Sequence, residues 1–134
     1  MMQTQYQRVL LKLSGEALAG DKGSGFDEAT IASICAGIRQ AHDLGVQIGI
    51  VVGGGNSSGK MDRMDADKIG MLATVMNALA VKDALRQQGV PAVVMTSSVM
   101  PQVAEPFTSD KAIAALEAGT VVVFGGGTGN PIFS

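Results

Sequence analysis

A lysine lies near the end of an apolar run, and small residues follow that run. In the stretch "RVLLKLSGEAL", Lys12 is the second-last residue of a run from Val9 to Leu13, and Ser14 and Gly15 come directly after the run. Taken alone, such a lysine packs its stem along a strand edge and extends its charged end into solvent. Beside phosphate-binding loops, the same side chain would supply a fixed positive charge during phosphoryl transfer. Lys12 is therefore the first candidate for catalysis.

Two further stretches are rich in glycine, and each follows a short apolar run. They read "VVGGGNSSGK" from position 51 and "FGGGTGNP" from position 124. Glycines let backbone N–H groups approach phosphate oxygens closely, so such loops are suited to binding phosphate. Neither stretch has the spacing of the Walker A motif, and neither is a dinucleotide fingerprint after the first strand. Any phosphate chemistry must therefore use another arrangement of loops.

The elements that position these loops alternate along the chain. Runs rich in Val, Ile and Leu predict strands at Arg8–Leu13, Val46–Val52, Pro91–Thr96 and Thr120–Phe124. Their lack of strict alternation is typical of strands covered on both faces. Helical patterns lie between them, and this order predicts an α/β protein, a three-layer α/β/α architecture with a mainly parallel sheet. In such a sheet the loops at the carboxyl ends of the strands share one edge, where ligands bind.

The helical patterns have recognisable ends and apolar faces. The first helix has Asp27 as its predicted N-cap and Gly45 beyond its last turn, and the third has Ser109 and Gly119 in the same roles. The long second pattern runs from about Asp65 to Gln88. One apolar face is predicted on each of the first two helices, formed by Ile31, Ile34, Cys35 and Ile38 and by Ile69, Leu72, Met76 and Leu79.

Composition narrows the function classes. The chain has 134 residues, a net charge of −2 and 46% hydrophobic residues, which is typical of one packed domain. Without a basic excess, and with only 4% aromatic residues, nucleic acid and anionic membranes are poor candidate partners. The one cysteine excludes an internal disulfide, and the polar first residues lack the apolar core of a signal peptide, so we expect a cytoplasmic protein.

Acidic and polar residues cluster at the start of the long helix. Asp62 and Asp65 are explained by N-terminal capping and the helix dipole. Asp67 lies further in, where a carboxylate could accept hydrogen bonds from ribose hydroxyls. Thr74 and Asn77 follow on the same helix, and buried polar packing explains them equally well as a binding role.

Four stretches together resemble one family over essentially the whole chain. "RVLLKLSGEAL", "VVGGGN", "MDRMDADKIGMLATVMNALAVKDAL" and "GGGTGNP" are similar to the bacterial UMP kinases (uridylate kinases) of the amino acid kinase superfamily, and "GMLATVMNAL" is the most specific part. The resemblance implies an amino acid kinase-like fold and the ATP- and Mg²⁺-dependent phosphorylation of UMP to UDP in pyrimidine nucleotide biosynthesis. It also implies a homohexamer that GTP activates and UTP inhibits.

The same resemblance implies roles for particular residues. Lys12 would neutralise phosphate charge during transfer, and no residue is assigned to the metal. The ATP contacts it implies are Lys12, Leu13, Ser14, Gly15 and Gly55, and the UMP contacts are Gly54, Asp67, Thr128, Gly129, Asn130, Pro131, Ile132, Phe133 and Ser134.

Two departures from the family pattern leave alternatives open. The family has an arginine shortly after the position of Asn56, whereas Ser57 and Ser58 follow here, and the family continues beyond Ser134 into an ATP-binding half. We expect residues 1–134 to form the N-terminal, nucleoside-monophosphate-binding part, and we interpret both gaps as omitted segments rather than natural deletions. The alternatives are a superfamily kinase for a carboxylate or carbamate acceptor, against which Asp67 and "TGNP" argue, and a non-catalytic nucleotide-binding module.

Overall fold

The computed structural model describes residues 7–22, 25–54, 63–97, 100 and 102–126; the side chains of residues 63, 64, 66 and 67 are outside this description. A short 3-10 turn, Gly20–Lys22, follows the first helix. The strands and helices are β1 (Arg8–Leu13), α1 (Gly15–Ala19), α2 (Glu28–Asp43), β2 (Gln47–Val52), α3 (Arg63–Gln87), β3 (Ala92–Thr96), β4 (Glu105–Pro106), α4 (Ser109–Glu117) and β5 (Val121–Gly125). The four predicted strands are confirmed to within one residue at each end, while α1 and β4 were not predicted.

The described strands form one sheet in the order β1-β2-β5-β3-β4, and every pairing among them is parallel. Helices α2 and α3 pack together on one face over a core that includes Ile50 and Val123, and α4 covers the other face through Leu116 and Phe124. The predicted three-layer α/β/α architecture is therefore confirmed. None of the helices in the described ranges is long and apolar enough to cross a membrane.

Strand β1 differs from the prediction that both faces of every strand are covered. Leu10 is 45% exposed and Leu11 is 36% exposed, although their side chains point to opposite faces of the sheet. The reason is position, because β1 is the edge strand of the described sheet and pairs with β2 alone. An apolar run shows that a segment can be buried. It does not show whether the strand lies at the edge of the sheet, where fewer neighbours cover its side chains.

Local signals at the helix ends are largely confirmed. Asp27 caps α2, since its carboxylate accepts hydrogen bonds from the hydroxyl and the backbone N–H of Thr30 at 2.7 and 2.9 Å, and these bonds lower the pKa of Asp27. For α4 the prediction is wrong by one residue, because Thr108 and not Ser109 is the cap and accepts from the N–H of Lys111 at 3.1 Å. Glycines with positive φ follow α2, α3 and α4, at Gly45, Gly89 and Gly119.

Helix α3 corrects the largest error of the sequence-based prediction. Ile69, Leu72 and Met76 were expected on its core face, yet they are 41%, 51% and 55% exposed. The buried side of the same helix carries smaller or polar residues instead, namely Thr74, Val75, Asn77, Ala78 and Val81, with Leu85 near its end. Small residues are required there because the backbone of α3 approaches the ends of β2 and β5 very closely.

Candidate active site

The loops after β1, β2 and β5 lie at the same edge of the sheet, as predicted. These three strands are neighbours in the order β1-β2-β5 and run parallel, so their carboxyl ends meet. The residues that follow them are small: Ser14 and Gly15 after β1, Gly53 and Gly54 after β2, and Gly126 after β5. In parallel α/β sheets this edge is the usual place for a ligand.

The loops after β1 and β2 are in direct contact. The N–H of Gly53 donates to the carbonyl of Leu13 at 2.8 Å. A Cβ atom at Gly53 would lie 3.3 Å from the backbone nitrogen of Gly15, so a larger residue would press the two loops apart. The hydroxyl of Ser14 accepts from the N–H of Ala17 at 3.0 Å and caps α1. Three of the residues assigned to ATP, Leu13, Ser14 and Gly15, thus lie in one ordered turn against the β2 loop.

Lys12 lies where the sequence placed it, at the second-last position of β1. Its Cα pairs with that of Val51 on β2, and the residue is exposed. By the alternation of a strand it shares a face with Leu10, on the side of the sheet that α4 covers further along. Among the described residues it forms no ion pair. Its ammonium group is therefore accessible to a ligand at the carboxyl edge.

Gly54 is held against α3 by a very close approach. A Cβ atom at this position would lie 2.7 Å from the carbonyl oxygen of Gly70 and 3.3 Å from the Cβ of Ala73. Its φ is not in the left-handed region, so the requirement for glycine comes from this contact and not from the turn. The first glycines of the "GGG" cluster therefore let a loop and a helix pack backbone to backbone.

Two polar residues of α3, Thr74 and Asn77, join it to both glycine loops. The side-chain amide of Asn77 donates to the carbonyl of Gly53 at 2.8 Å. The hydroxyl of Thr74 accepts from the N–H of Gly126 at 2.6 Å. The sequence had left these two residues undecided between packing and binding, and their spacing of three on a helix was the signal that they share a face.

The remaining predicted site residues divide into two groups. Asp67 belongs to α3, one turn before Gly70, so its backbone lies on the helix that contacts Gly54; its side chain is outside the description. Gly55 and the segment from Thr128 to Ser134 lie outside the described residues. The structure therefore brings together Lys12, Leu13, Ser14, Gly15 and Gly54, and it leaves the other assignments as predictions.

No metal centre is formed by the residues that the structure describes. They contain no group of three or more His, Cys, Asp or Glu side chains that could hold a metal ion. A cavity of about 440 Å³ lies between α2 and α3 beside Phe26 and Asp83, away from the glycine loops.

The fold and the loops define a three-layer α/β/α protein whose glycine loops meet beside a strand-end lysine. The chain belongs to the amino acid kinase family, because the model of that family matches residues 7–133. The sequence is 52% identical to the uridylate kinase of Pediococcus pentosaceus over 141 residues, which cover 100% of this chain and 58% of the relative. It is also 52% identical to the uridylate kinase of Limosilactobacillus reuteri, of which it covers 59%.

Solved structures agree with this membership. The UMP kinase from Bacillus anthracis superposes with a TM-score of 0.83 at 38% identity, over 96% of this chain and 56% of that one. The UMP kinase from Ureaplasma parvum also gives 0.83, at 31% identity, over 97% of this chain and 60% of that one. Aspartate kinase from Synechocystis, with a TM-score of 0.64 at 16% identity, shares the fold alone. The resemblance to bacterial UMP kinases is confirmed.

The alignments also bear on the two departures from the family pattern. The chain spans a little over half the length of the curated relatives it matches. The aligned region of 141 residues is seven longer than the 134 residues of the chain, so the relative contains a few residues within that region that have no counterpart here.

Proposed function

We propose that the protein transfers the γ-phosphoryl group of ATP to UMP and forms UDP and ADP. The observation that carries this proposal is the junction of the β1 and β2 loops, where the N–H of Gly53 donates to the carbonyl of Leu13 at 2.8 Å beside exposed Lys12. It brings a fixed cation and two glycine loops to one edge of the sheet. The similarity to uridylate kinases at 52% identity supports UMP as the acceptor.

The reaction we propose needs positioning and charge neutralisation rather than a covalent intermediate. A phosphate oxygen of UMP attacks the γ-phosphorus of ATP, and the bond from that phosphorus to the bridging oxygen of the β-phosphate breaks. The attacking phosphate is already ionised, so no general base is required. Lys12 would stabilise the negative charge on the group in transit. Mg²⁺ would arrive with ATP.

The two nucleotides would lie on either side of the β2 loop. We assign Gly55 to ATP together with Lys12 and the turn from Leu13 to Gly15, and we assign Gly54 to UMP. Asp67 would accept hydrogen bonds from the UMP ribose, and Thr128–Ser134 would enclose the rest of UMP. We further propose that residues 1–134 are the nucleoside-monophosphate-binding part, and that the adenine site belongs to the part of the relatives that this chain does not span.

A coupled assay of ADP release on the product of the complete gene tests the proposal. We expect turnover with UMP and ATP, and none with glutamate or carbamate as acceptor. Turnover with a carboxylate or carbamate and none with UMP would establish the alternative kinase. Nucleotide binding without turnover on any acceptor would establish a non-catalytic module.

Asp67→Ala should raise the KM for UMP about tenfold and change kcat little. A charge-assisted hydrogen bond to a ribose hydroxyl is lost, and about 1.4 kcal/mol of binding energy corresponds to that factor. Steady-state kinetics with UMP varied at saturating ATP measures it. Asp65→Ala is the matched control, because Asp65 is an exposed carboxylate in the first turn of the same helix. An unaltered KM for UMP in Asp67→Ala would show that Asp67 does not contribute to UMP binding.

We also propose that the protein assembles into a homohexamer, with GTP as activator and UTP as inhibitor, and that it acts in the cytoplasm. Support for self-association comes from the exposed apolar side chains of Ile69, Leu72 and Met76 on α3. Adding GTP or UTP to the same coupled assay tests the effectors, with faster turnover expected for GTP and slower for UTP.

Leu72→Glu should lower the assembly state, because a charge on this face would lose its hydration in a subunit contact. Light scattering on the purified protein measures the mass of the assembly. Leu44→Glu is the control, since Leu44 is 81% exposed at the end of α2, away from the α3 face. Equal masses for the wild type and Leu72→Glu would show that this face of α3 is not a subunit contact.

A further inference from the structure

Helix α3 buries two polar side chains on the side that faces the sheet. Thr74 is 9% exposed and Asn77 is 3% exposed, among neighbours that are otherwise apolar. Burying such groups is unfavourable unless each one is hydrogen-bonded. Both are bonded, and both have a partner outside their own helix. Their partners therefore indicate why polar residues occupy this face.

Asn77 holds the end of β2. Its side-chain amide donates to the carbonyl of Gly53 at 2.8 Å, and the N–H of the same glycine donates to Leu13 at 2.8 Å. Gly53 is thus fixed on one side by α3 and on the other by the turn that follows Lys12. The next residue is Gly54, which has no room to move toward α3.

Thr74 contacts both loops with one side chain. Its hydroxyl donates to the carbonyl of Met71 at 2.6 Å, and its oxygen accepts from the N–H of Gly126 at 2.6 Å. Its methyl carbon Cγ2 lies 3.4 Å from the place of a Cβ at Gly54. The hydrogen bond to Met71 is common for a threonine inside a helix. The hydrogen bond to Gly126 joins residues 52 positions apart and satisfies no backbone group of the helix.

We propose that Thr74 and Asn77 are positioning residues that hold the loops after β2 and β5 at one spacing on α3, and thereby shape the site for UMP. This inference rests on the proposed function for its link to UMP. The β2 loop carries Gly54 and α3 itself carries Asp67, so these two parts of the proposed UMP site join this one helix, and Thr128 follows Gly126 by two positions in the sequence. Neither positioning residue needs to touch the nucleotide.

Amide hydrogen exchange in the full chain measures how firmly the two loops are held, and it needs no substrate. Thr74→Val removes the acceptor of the Gly126 N–H while keeping the shape, and exchange at Gly126 should become at least about tenfold faster. Thr74→Ser keeps the hydroxyl and should restore the slow exchange. Asn77→Ala, the second variant, removes the donor to the carbonyl of Gly53, and the loosened loop should weaken the bond from the Gly53 N–H to Leu13, so exchange at Gly53 should become faster. Equal exchange at Gly126 in the valine and serine variants, or no change at Gly53, would overturn the anchoring.

Steady-state kinetics on the product of the complete gene then links the anchoring to UMP. Thr74→Val and Asn77→Ala should each raise the KM for UMP about tenfold and leave the KM for ATP nearly unchanged, with recovery in Thr74→Ser. Val81→Ala is the matched control, because Val81 is fully buried on the same helix and packs in the apolar core. It should lower the melting temperature without changing the KM for UMP.

The outcomes separate the two proposals. Faster exchange with an unchanged KM for UMP would overturn the role of these residues in the UMP site. An equal rise of KM in Val81→Ala would show that general destabilisation, and not positioning, is responsible. A wild-type protein that does not phosphorylate UMP would overturn the proposed function instead, and the exchange measurements would still decide whether Thr74 and Asn77 anchor the loops.

Discussion

Lys12→Ala should lower kcat for UMP phosphorylation by about two to three orders of magnitude while leaving the affinity for UMP within a few-fold of the wild type. Removal of one preorganised group that stabilises transition-state charge has an effect of this size. Lys12 lies at the carboxyl end of β1, is exposed, and forms no ion pair with another described residue. Among the described residues, therefore, no carboxylate competes with the transferred phosphoryl group for the charge of Lys12.

The measurement compares kcat, KM and the melting temperature of the complete protein with those of three variants, Lys12→Ala, Lys82→Ala and Lys12→Arg. Lys82→Ala is the control, since Lys82 lies in the C-terminal half of α3, at the opposite end of the helix from Gly54. It should keep both kinetic constants. Lys12→Arg should recover part of the rate, because it retains the positive charge with a different donor geometry. An unchanged kcat in Lys12→Ala would refute the catalytic role, and a raised KM with constant kcat would show a role in binding alone.

Gly54→Ala should destabilise the protein by about 1–3 kcal/mol and weaken UMP binding in the fraction that folds. The added Cβ would lie 2.7 Å from the carbonyl oxygen of Gly70, a contact that neither backbone can relieve without moving. Either the loop moves away from α3 or the helix moves away from the sheet, and both movements change the site. Chemical denaturation measures the free energy of unfolding, and calorimetry measures the affinity for UMP.

Gly70→Ala is the matched control for this prediction. Gly70 is the other member of the contact, but a Cβ built on it meets nothing within 4 Å. Because the position is inside a helix, alanine should stabilise the protein by about 0.5–1 kcal/mol. If Gly54→Ala proved as stable as the wild type, the close approach of the loop and the helix would not exist in solution.

The local features of the fold could be predicted from the sequence. The bounds of β1 were predicted to the residue, and the cap at Asp27 and the stop at Gly45 were predicted correctly. These features depend on neighbours a few positions apart, and the sequence displays such neighbours directly. The gathering of the loops after β1, β2 and β5 at one edge follows from the parallel alternation of strands and helices.

The apolar face of α3 shows where such reasoning fails. Ile69, Leu72 and Met76 have the spacing of a core face and are exposed, while Thr74 and Asn77 are buried. The hydrophobic pattern of a helix does not record how close its backbone comes to a strand end. At a close approach the volume of the side chain decides which residues fit, and its hydrophobicity is secondary.

The sequence alone predicts the three-layer architecture, the glycine loops at one edge of the sheet, and the position of Lys12 beside them. All of these rest on patterns within single segments and on the general geometry of parallel sheets. The packing of Gly54 on Gly70, and the bonds from Thr74 to Gly126 and from Asn77 to Gly53, emerge only in the folded chain. They join residues that are 16 to 52 positions apart, and such pairs become neighbours only when strands and helix share one core.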